Sequence, residues 1–306
     1  MKKTKIGIPK ALLYYRYSIL WKTFFTNLNC EIITSGDTNK EILELGKKYS
    51  IDESCLSSKI YIGHVATLVN KCDYILVPRV ENYGKKEKVC VKFNGIYDIV
   101  KNLFPTQKLL EYNIEKNKNP FMILSFIKLG KKITNNYFKI IISYIKAIKK
   151  HKEVELKLEQ KQKEKLNSKN KKLLIVSHPY NIYDNYIGTP IIKKLENMQI
   201  DLIYADKLNK KISKKHSKEL SPTLYWTYSK ELIGSINYYK NKIEGIIFIT
   251  TFPCGPDSLV NELILRKIKD IPMLNIIIDE LTSSTGLDTR LESFIDIIKE
   301  RSEDNE

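Results

Sequence analysis

The sequence predicts an α/β protein: two doubly wound parallel-sheet domains facing each other, with a basic helical insertion between them. Three observations predict this. Short apolar runs alternate with helix-spaced segments in the first third of the chain and again in the last third, a pattern that implies parallel strands covered by helices. The middle third loses the strand signal and carries most of the excess positive charge. A chain of 306 residues, 42% of them hydrophobic, is long enough for two separate cores.

The first domain is expected over residues 1–104. Lys5 to Ile8 (KIGI) reads as a strand, and Ala11 to Asn27 follows with helical spacing of Leu12, Tyr15, Ile19 and Phe24. Glu31 to Thr34 (EIIT) is a second strand, Thr38 to Lys48 and Cys55 to Lys71 are helices, and Tyr74 to Val77 (YILV) is a further strand. The insertion is expected over residues 105–170 as helix. Ile133, Tyr137, Ile140, Ile141, Tyr144 and Ile148 form one apolar stripe. The second domain is expected over residues 171–306, with strands at Lys172 to Val176, Asp201 to Tyr204, Ile243 to Thr250 and Met273 to Ile278, and a last helix over Arg290 to Lys299. No short period repeats along the chain, although the two α/β parts have the form of structural cousins.

Charge narrows the function classes. The net charge is +17, yet residues 106–172 alone hold 18 lysines against 6 acids. Lysines number 47 and arginines 5, whereas base readout and bidentate phosphate contacts favour arginine. A solvated lysine face follows, and no specific nucleic-acid partner is expected. The rarity of arginine singles out Arg79, just after a strand, as a group able to hold a carboxylate or phosphate. No run of eighteen apolar residues occurs, and lysines interrupt the amino terminus, so neither a transmembrane segment nor a signal peptide is expected. A cytoplasmic location follows. Five cysteines spread from Cys30 to Cys254 do not suggest a disulfide framework.

In open α/β sheets ligands gather beyond the carboxyl ends of the strands. There the chain places His178 to Tyr180, Asn181, Tyr183 and the stretch Cys254 to Ser258 (CGPDS), which includes Asp257. Neither G-x-x-x-x-G-K-[ST] nor G-x-G-x-x-G follows any strand, so no ATP or NAD site and no ATPase motif are expected. Local context separates the cysteines. Cys55 and Cys254 each open a helix, where unpaired amides and the helix dipole favour a thiolate. Pro256 suits the first helical position and Gly255 gives clearance. Cys90 lies in a segment of weak pattern, whereas Cys30 and Cys72 precede strands and read as core residues. Spacings of 35 and 164 residues match no compact metal motif, so spacing alone leaves a shared site and three unrelated thiols both open.

Several blocks in order, GIPKALLYYRYSILWKTFF, DESCLSSKIYIGHVATLVNKCDYILVPRVENY, VCVKFNG, HPYNIYDNYI, FPCGPDSLVNELI and IIIDELTSSTGLDTRLESFID, resemble the activase-related proteins of the 2-hydroxyacyl-CoA dehydratase and benzoyl-CoA reductase group. The resemblance covers most of Lys5 to Phe104 and Lys172 to Lys299. It implies a [4Fe-4S] cluster on three cysteine thiolates, with Cys55, Cys90 and Cys254 at the matching positions. It also implies low-potential electron transfer, or a role as a component of an anaerobic acyl-CoA dehydratase or reductase. The implied partners are an ATP-dependent activator or redox protein and a CoA thioester, with Arg79, His178, Asn181, Tyr183 and Asp257 as pocket or second-layer groups. This sequence departs from the group's pattern by Val91 where a proline often follows Cys90, by the polar LSSK after Cys55, and by the lack of an actin-like ATPase module. An alternative from the residues alone is a zinc-stabilised α/β binding protein without redox activity, in which His64 or His178 completes the three thiolates.

Overall fold

The computed structural model describes residues 3–118, 121–198, 200–281 and 284–303. Two compact units divide them: residues 1–156 with Tyr225–Thr227, and residues 157–224 with 228–306. Each unit is built on one four-stranded sheet in which every strand pair is parallel.

In the first unit the order along the chain is β1 (Lys5–Ile8), α1 (Tyr14–Asn27), β2 (Glu31–Thr34), α2 (Lys40–Tyr49), α3 (Leu56–Leu68), β3 (Tyr74–Asn82), α4 (Val91–Leu103), β4 (Leu109–Glu115) and α5 (Met122–Lys131). The sheet runs β2-β1-β3-β4. Ile6, Ile8, Ile75, Leu76 and Val77 are all fully buried, as strands covered on both faces require. One expectation is corrected here. Residues 109–115 form strand β4 and are not part of a helical insertion; Leu110, Tyr112 and Ile114 point inward in strict alternation. The period-two pattern is present in LLEYNIE, but the lysine-rich sequence around it hides it.

A long helix, α6 (Tyr137–Leu166), follows, and the boundary between the units falls within it. The second unit continues with β5 (Lys172–Val176), α7 (Pro179–Ile182), α8 (Thr189–Glu196), β6 (Asp201–Tyr204), α9 (Lys210–Leu220), α10 (Thr227–Tyr239), β7 (Gly245–Thr251), α11 (Gly255–Lys267), β8 (Met273–Ile278) and α12 (Ser284–Glu303). Its sheet runs β6-β5-β7-β8. The expected stripe on α6 holds in part, with Ile140 buried and Ile141, Tyr144 and Ile148 half-buried, but Tyr137 exposed at the start of the helix. Beyond it Gln162 anchors the helix to the second unit. Its side chain donates to the Tyr204 carbonyl at 2.9 Å and accepts from the Tyr204 amide at 2.9 Å.

The two units are cousins in topology. Both place the first strand beside the second and the third, and both insert a pair of helices before the third strand. In each pair the backbones touch. A Cβ on Gly63 of α3 would come within 1.9 Å of the Ile42 carbonyl on α2, and one on Gly234 of α10 within 1.8 Å of the Ser213 carbonyl on α9. Only glycine fits either crossing. Among the described residues no helix is long and apolar enough to cross a membrane.

Candidate functional site

Three cysteines occupy the same local position. Cys55 is the N-cap of α3, Cys90 of α4 and Cys254 of α11. Each carries extended or near-extended backbone angles, with its carbonyl accepting the first amide of its helix, at 2.9 Å from Ser58, 3.0 Å from Phe93 and 3.0 Å from Ser258. In none of them does the side chain take the usual capping bond from its own helix. A Ser, Thr, Asp or Asn is the ordinary choice for an N-cap. Cysteine at all three positions points to a use of sulfur there other than capping.

Two of the three share a topological place. Cys90 opens the helix after the third strand of the first sheet, and Cys254 opens the helix after the third strand of the second. The N-cap role of Cys90 is not readable from its sequence, because no acid follows in the first turn of α4 and no proline marks its start. Val91 occupies that first position and is 80% exposed, so a proline would fit there too. In α11 the proline is the second residue, again where no intrahelical amide partner is lost.

Within the first unit the turns bearing Cys55 and Cys90 are tied together. Lys92, in the first turn of α4, donates from Nζ to the Ser54 hydroxyl at 3.2 Å, and Ser54 immediately precedes Cys55. The approach to Cys90 is pinned by backbone pairing. The Lys88 amide donates to the Tyr225 carbonyl at 2.9 Å and the Lys88 carbonyl accepts from the Thr227 amide at 2.8 Å. Lys88 also bridges Asn82 at the end of β3.

The remaining two cysteines open no helix, and of them Cys30 is buried and Cys72 half-buried. Cys30 is buried, and burial pushes its thiol up to about 11 against a smaller opposing effect of Lys139. Burial likewise pushes Cys72 up to about 11, and its sulfur lies 3.5 Å from the Leu68 carbonyl.

In the second unit His178 and Asp257 come together across 79 residues, with Nε2 2.8 Å from Oδ1 and both residues buried. Burial raises the Asp257 carboxyl, but the His178 ring and a hydrogen bond from the Cys254 thiol outweigh it and hold the carboxyl below its ordinary value. His178 follows β5, while Cys254 and Asp257 follow β7. Those strands are adjacent, and their onward connections run to opposite sides of the sheet. The three residues thus stand at the switch point where α/β sheets bind ligands. Tyr180 stacks on the His178 ring at 5.0 Å, and Asn181 is fully buried one turn along. Tyr183 turns elsewhere and donates to Asp206 at 3.1 Å; burial and that carboxylate raise its phenol. Arg79 lies in the first unit, its guanidinium 2.7 Å from Asp98 and 3.0 Å from Glu111, so two carboxylates already match its charge.

His64 does not reach the cysteines. Its Nδ1 lies 2.7 Å from the Ser35 hydroxyl and its Nε2 2.8 Å from the Thr38 hydroxyl. Burial, then Lys10, lowers its pKa to about 4 against the opposing pull of Asp37. It sits nine residues along α3 from Cys55, about 13 Å at the helical rise, so the two cannot bind one metal ion. The zinc alternative therefore loses His64. Within neither unit, among the described residues, do three or more His, Cys, Asp or Glu side chains gather as they would around a metal ion. Cys55 and Cys90 belong to one unit and Cys254 to the other.

A protein with two parallel α/β units and sulfur at the mouth of three helices is the class these features define. The chain belongs to the family described as the CoA enzyme activase uncharacterised domain (DUF2229), whose model matches residues 5–208. It is also similar to a glutamyl-tRNA reductase from Wigglesworthia glossinidia brevipalpis, at 29% identity over 141 residues, which is 45% of this chain and 33% of that protein. The chain thus spans about a third of the length of that relative. Among solved structures, a crystal structure of ZnuA aligns with 97% of this chain and 99% of that one at 8% identity, with a TM-score of 0.29.

Proposed function

We propose that this chain is an iron-sulfur protein of a 2-hydroxyacyl-CoA dehydratase-type system, with Cys55, Cys90 and Cys254 as the thiolate ligands of a [4Fe-4S] cluster. The observation that carries the reading is the common N-cap position of these three cysteines, which Cys30 and Cys72, with thiols raised by burial, do not share. The donor set fits the group. Iron-sulfur clusters take cysteine thiolates, and a helix N-terminus stabilises a thiolate through its amides and dipole. The cluster supplies one-electron chemistry at low potential and, on three protein ligands, one iron open to a further ligand.

The chain's own groups would do the rest. Cys55, Cys90 and Cys254 would supply the thiolates. Asp257, hydrogen-bonded to His178, accepts from the Cys254 thiol at the switch point, a contact that lasts only while that sulfur keeps its proton. Arg79 and Tyr183, each engaged by carboxylates of its own unit, serve as structural supports more readily than as groups that meet a ligand. The membership in a CoA enzyme activase family supports a dehydratase or reductase as the partner and a CoA thioester as the substrate of that system. Electrons would come from a separate ATP-dependent activator or redox protein. An oxygen-sensitive centre suits a reducing cytoplasm.

The test is the metal and sulfide content of the full chain purified without oxygen, with its absorption spectrum. Iron together with acid-labile sulfide is the expected result. Zinc alone would favour the redox-inactive binding protein, and the absence of both metals would overturn the reading.

A further inference from the structure

The outer side of α6 breaks the ordinary pattern of a surface helix. An amphipathic helix buries one apolar stripe and turns polar residues to water. Over Tyr137 to Ile148 (YFKIIISYIKAI) the inward stripe is present, yet the opposite side is apolar too. Phe138 is 75% exposed and Ile145 56%, with Ile142 half-buried between them. These three fall at i, i+4 and i+7, on one face of the helix.

Helix α5 lies against α6 and extends that face. A Cβ on Gly130 would come within 2.7 Å of the Ile140 side chain, and the Phe126 and Tyr144 rings have centroids 5.0 Å apart. The two helices are therefore antiparallel, and Leu124 of α5 comes nearly level with Ile145 of α6. Leu124 is 44% exposed. On the inner side Phe126 packs edge-on against Phe24 and Tyr112, so the core is already sealed without the outer residues.

Charge around this face has one sign. Residues 116–152 hold 10 lysines and neither an acid nor an arginine. Lys128 and Lys149 follow Leu124 and Ile145 by four residues, on the same face, and both are exposed. An apolar face of this kind on a folded chain marks an interaction surface. A second copy would bring lysines against lysines. An acidic protein would match the charge, but ordered carboxylates are best met by the fixed fork of arginine, which this face lacks. Anionic lipid offers a diffuse array of headgroups that flexible ammonium stems can reach while Phe, Ile and Leu enter the acyl boundary.

We propose that the α5–α6 hairpin of the first unit is a peripheral docking surface for anionic lipid bilayers. Leu124, Phe138 and Ile145 insert at the level of the headgroups, and the lysines hold the hairpin against the negative surface. The attachment lies on the membrane without crossing it, in keeping with the lack of a long apolar helix among the described residues. Neither the cluster nor its ligands enters this inference.

The experiment is co-sedimentation of the full chain with vesicles, either of phosphatidylcholine alone or of phosphatidylcholine and phosphatidylglycerol in equal parts, at low and high salt. Binding to the anionic vesicles only, weakened by salt, is expected. Phe138→Gln combined with Ile145→Gln, both at exposed positions, should keep the circular dichroism of the wild type and bind at least about tenfold more weakly. Lys128→Gln with Lys149→Gln should also weaken binding, whereas Lys215→Gln with Lys218→Gln, an equal charge change on α9, should not. If the apolar pair does not fold, Leu124→Gln alone carries the comparison. No binding to anionic vesicles at low salt would overturn the proposal. Equal loss in both lysine pairs with none in the apolar variants would also overturn it, by reducing the effect to general charge attraction. A chain that ignores vesicles but binds polyglutamate would assign the face to an acidic protein and overturn it as well.

Discussion

Lys92 donates to Ser54 across a gap of 3.2 Å, and that single bond joins the helix opened by Cys90 to the turn that ends in Cys55. The two cysteines are 35 residues apart in sequence, and a strand and a loop separate their helices. Their turns are neighbours through that bond, and β3 runs on past its pairing with β1 to Asn82 before the loop that leads to α4.

This proximity predicts bridging by a reagent that needs two adjacent thiols. A trivalent arsenical that captures sulfur pairs should bind one equivalent per metal-free chain. Binding should vanish in Cys55→Ser or Cys90→Ser and persist in Cys30→Ser. Retention in both of the first two variants would show that these turns do not present a thiol pair.

The cysteines should also differ in rate. Burial raises the Cys30 and Cys72 thiols to about 11, which leaves very little thiolate near pH 8. In the metal-free chain, Cys55, Cys90 and Cys254 should be alkylated well before Cys30 or Cys72, as followed by peptide mass spectrometry under native conditions. Modification of Cys72 as fast as Cys55 would remove the distinction between helix-mouth sulfur and sulfur raised by burial.

His64 predicts a pH dependence of stability. Its folded pKa of about 4 lies below the ordinary 6.5, so between these values the unfolded chain binds a proton that the folded chain does not. The contribution is fully present above pH 6.5 and is lost as pH falls toward 4, by about 3 kcal/mol at most. Urea titrations at several pH values should show this loss in the wild-type protein and a flatter profile in His64→Gln. Equal profiles would mean that the imidazole is not held neutral between Ser35 and Thr38.

Glycine substitutions should separate contact from conformation. Gly63→Ala places a methyl group against the Ile42 carbonyl at 1.9 Å and should destabilise by about 1–3 kcal/mol or more. Gly255→Ala, whose Cβ meets nothing within 4 Å, should change stability by less than about 0.5 kcal/mol. Chemical denaturation of the two variants gives the comparison directly.

Much of this architecture is legible in the sequence, for reasons that differ by element. KIGI, YILV, KLLIV and GIIFIT stand out because strands buried on both faces must be apolar throughout. The edge strand LLEYNIE escaped because only alternate residues are buried, in a stretch dominated by lysine and asparagine. Cys55 and Cys254 were readable as helix openings from Asp52-Glu53-Ser54 before the one and Gly-Pro-Asp after the other. Cys90 has no such neighbours, and its N-cap position emerges only from the fold. The pairing of His178 with Asp257, and of Lys92 with Ser54, depends on which strands lie side by side. Local patterns carry no record of that.

The most direct test of the central claim is iron and acid-labile sulfide per folded chain, measured without oxygen, in Cys55→Ser, Cys90→Ser, Cys254→Ser and Cys72→Ser. A serine hydroxyl at a helix mouth is a poor replacement for a thiolate, whereas Cys72 opens no helix. The account predicts that each of the first three variants loses the cluster while Cys72→Ser keeps it. Full retention of iron and sulfide in any one of the first three, with the chain folded by circular dichroism, would contradict a cluster held by these three thiolates.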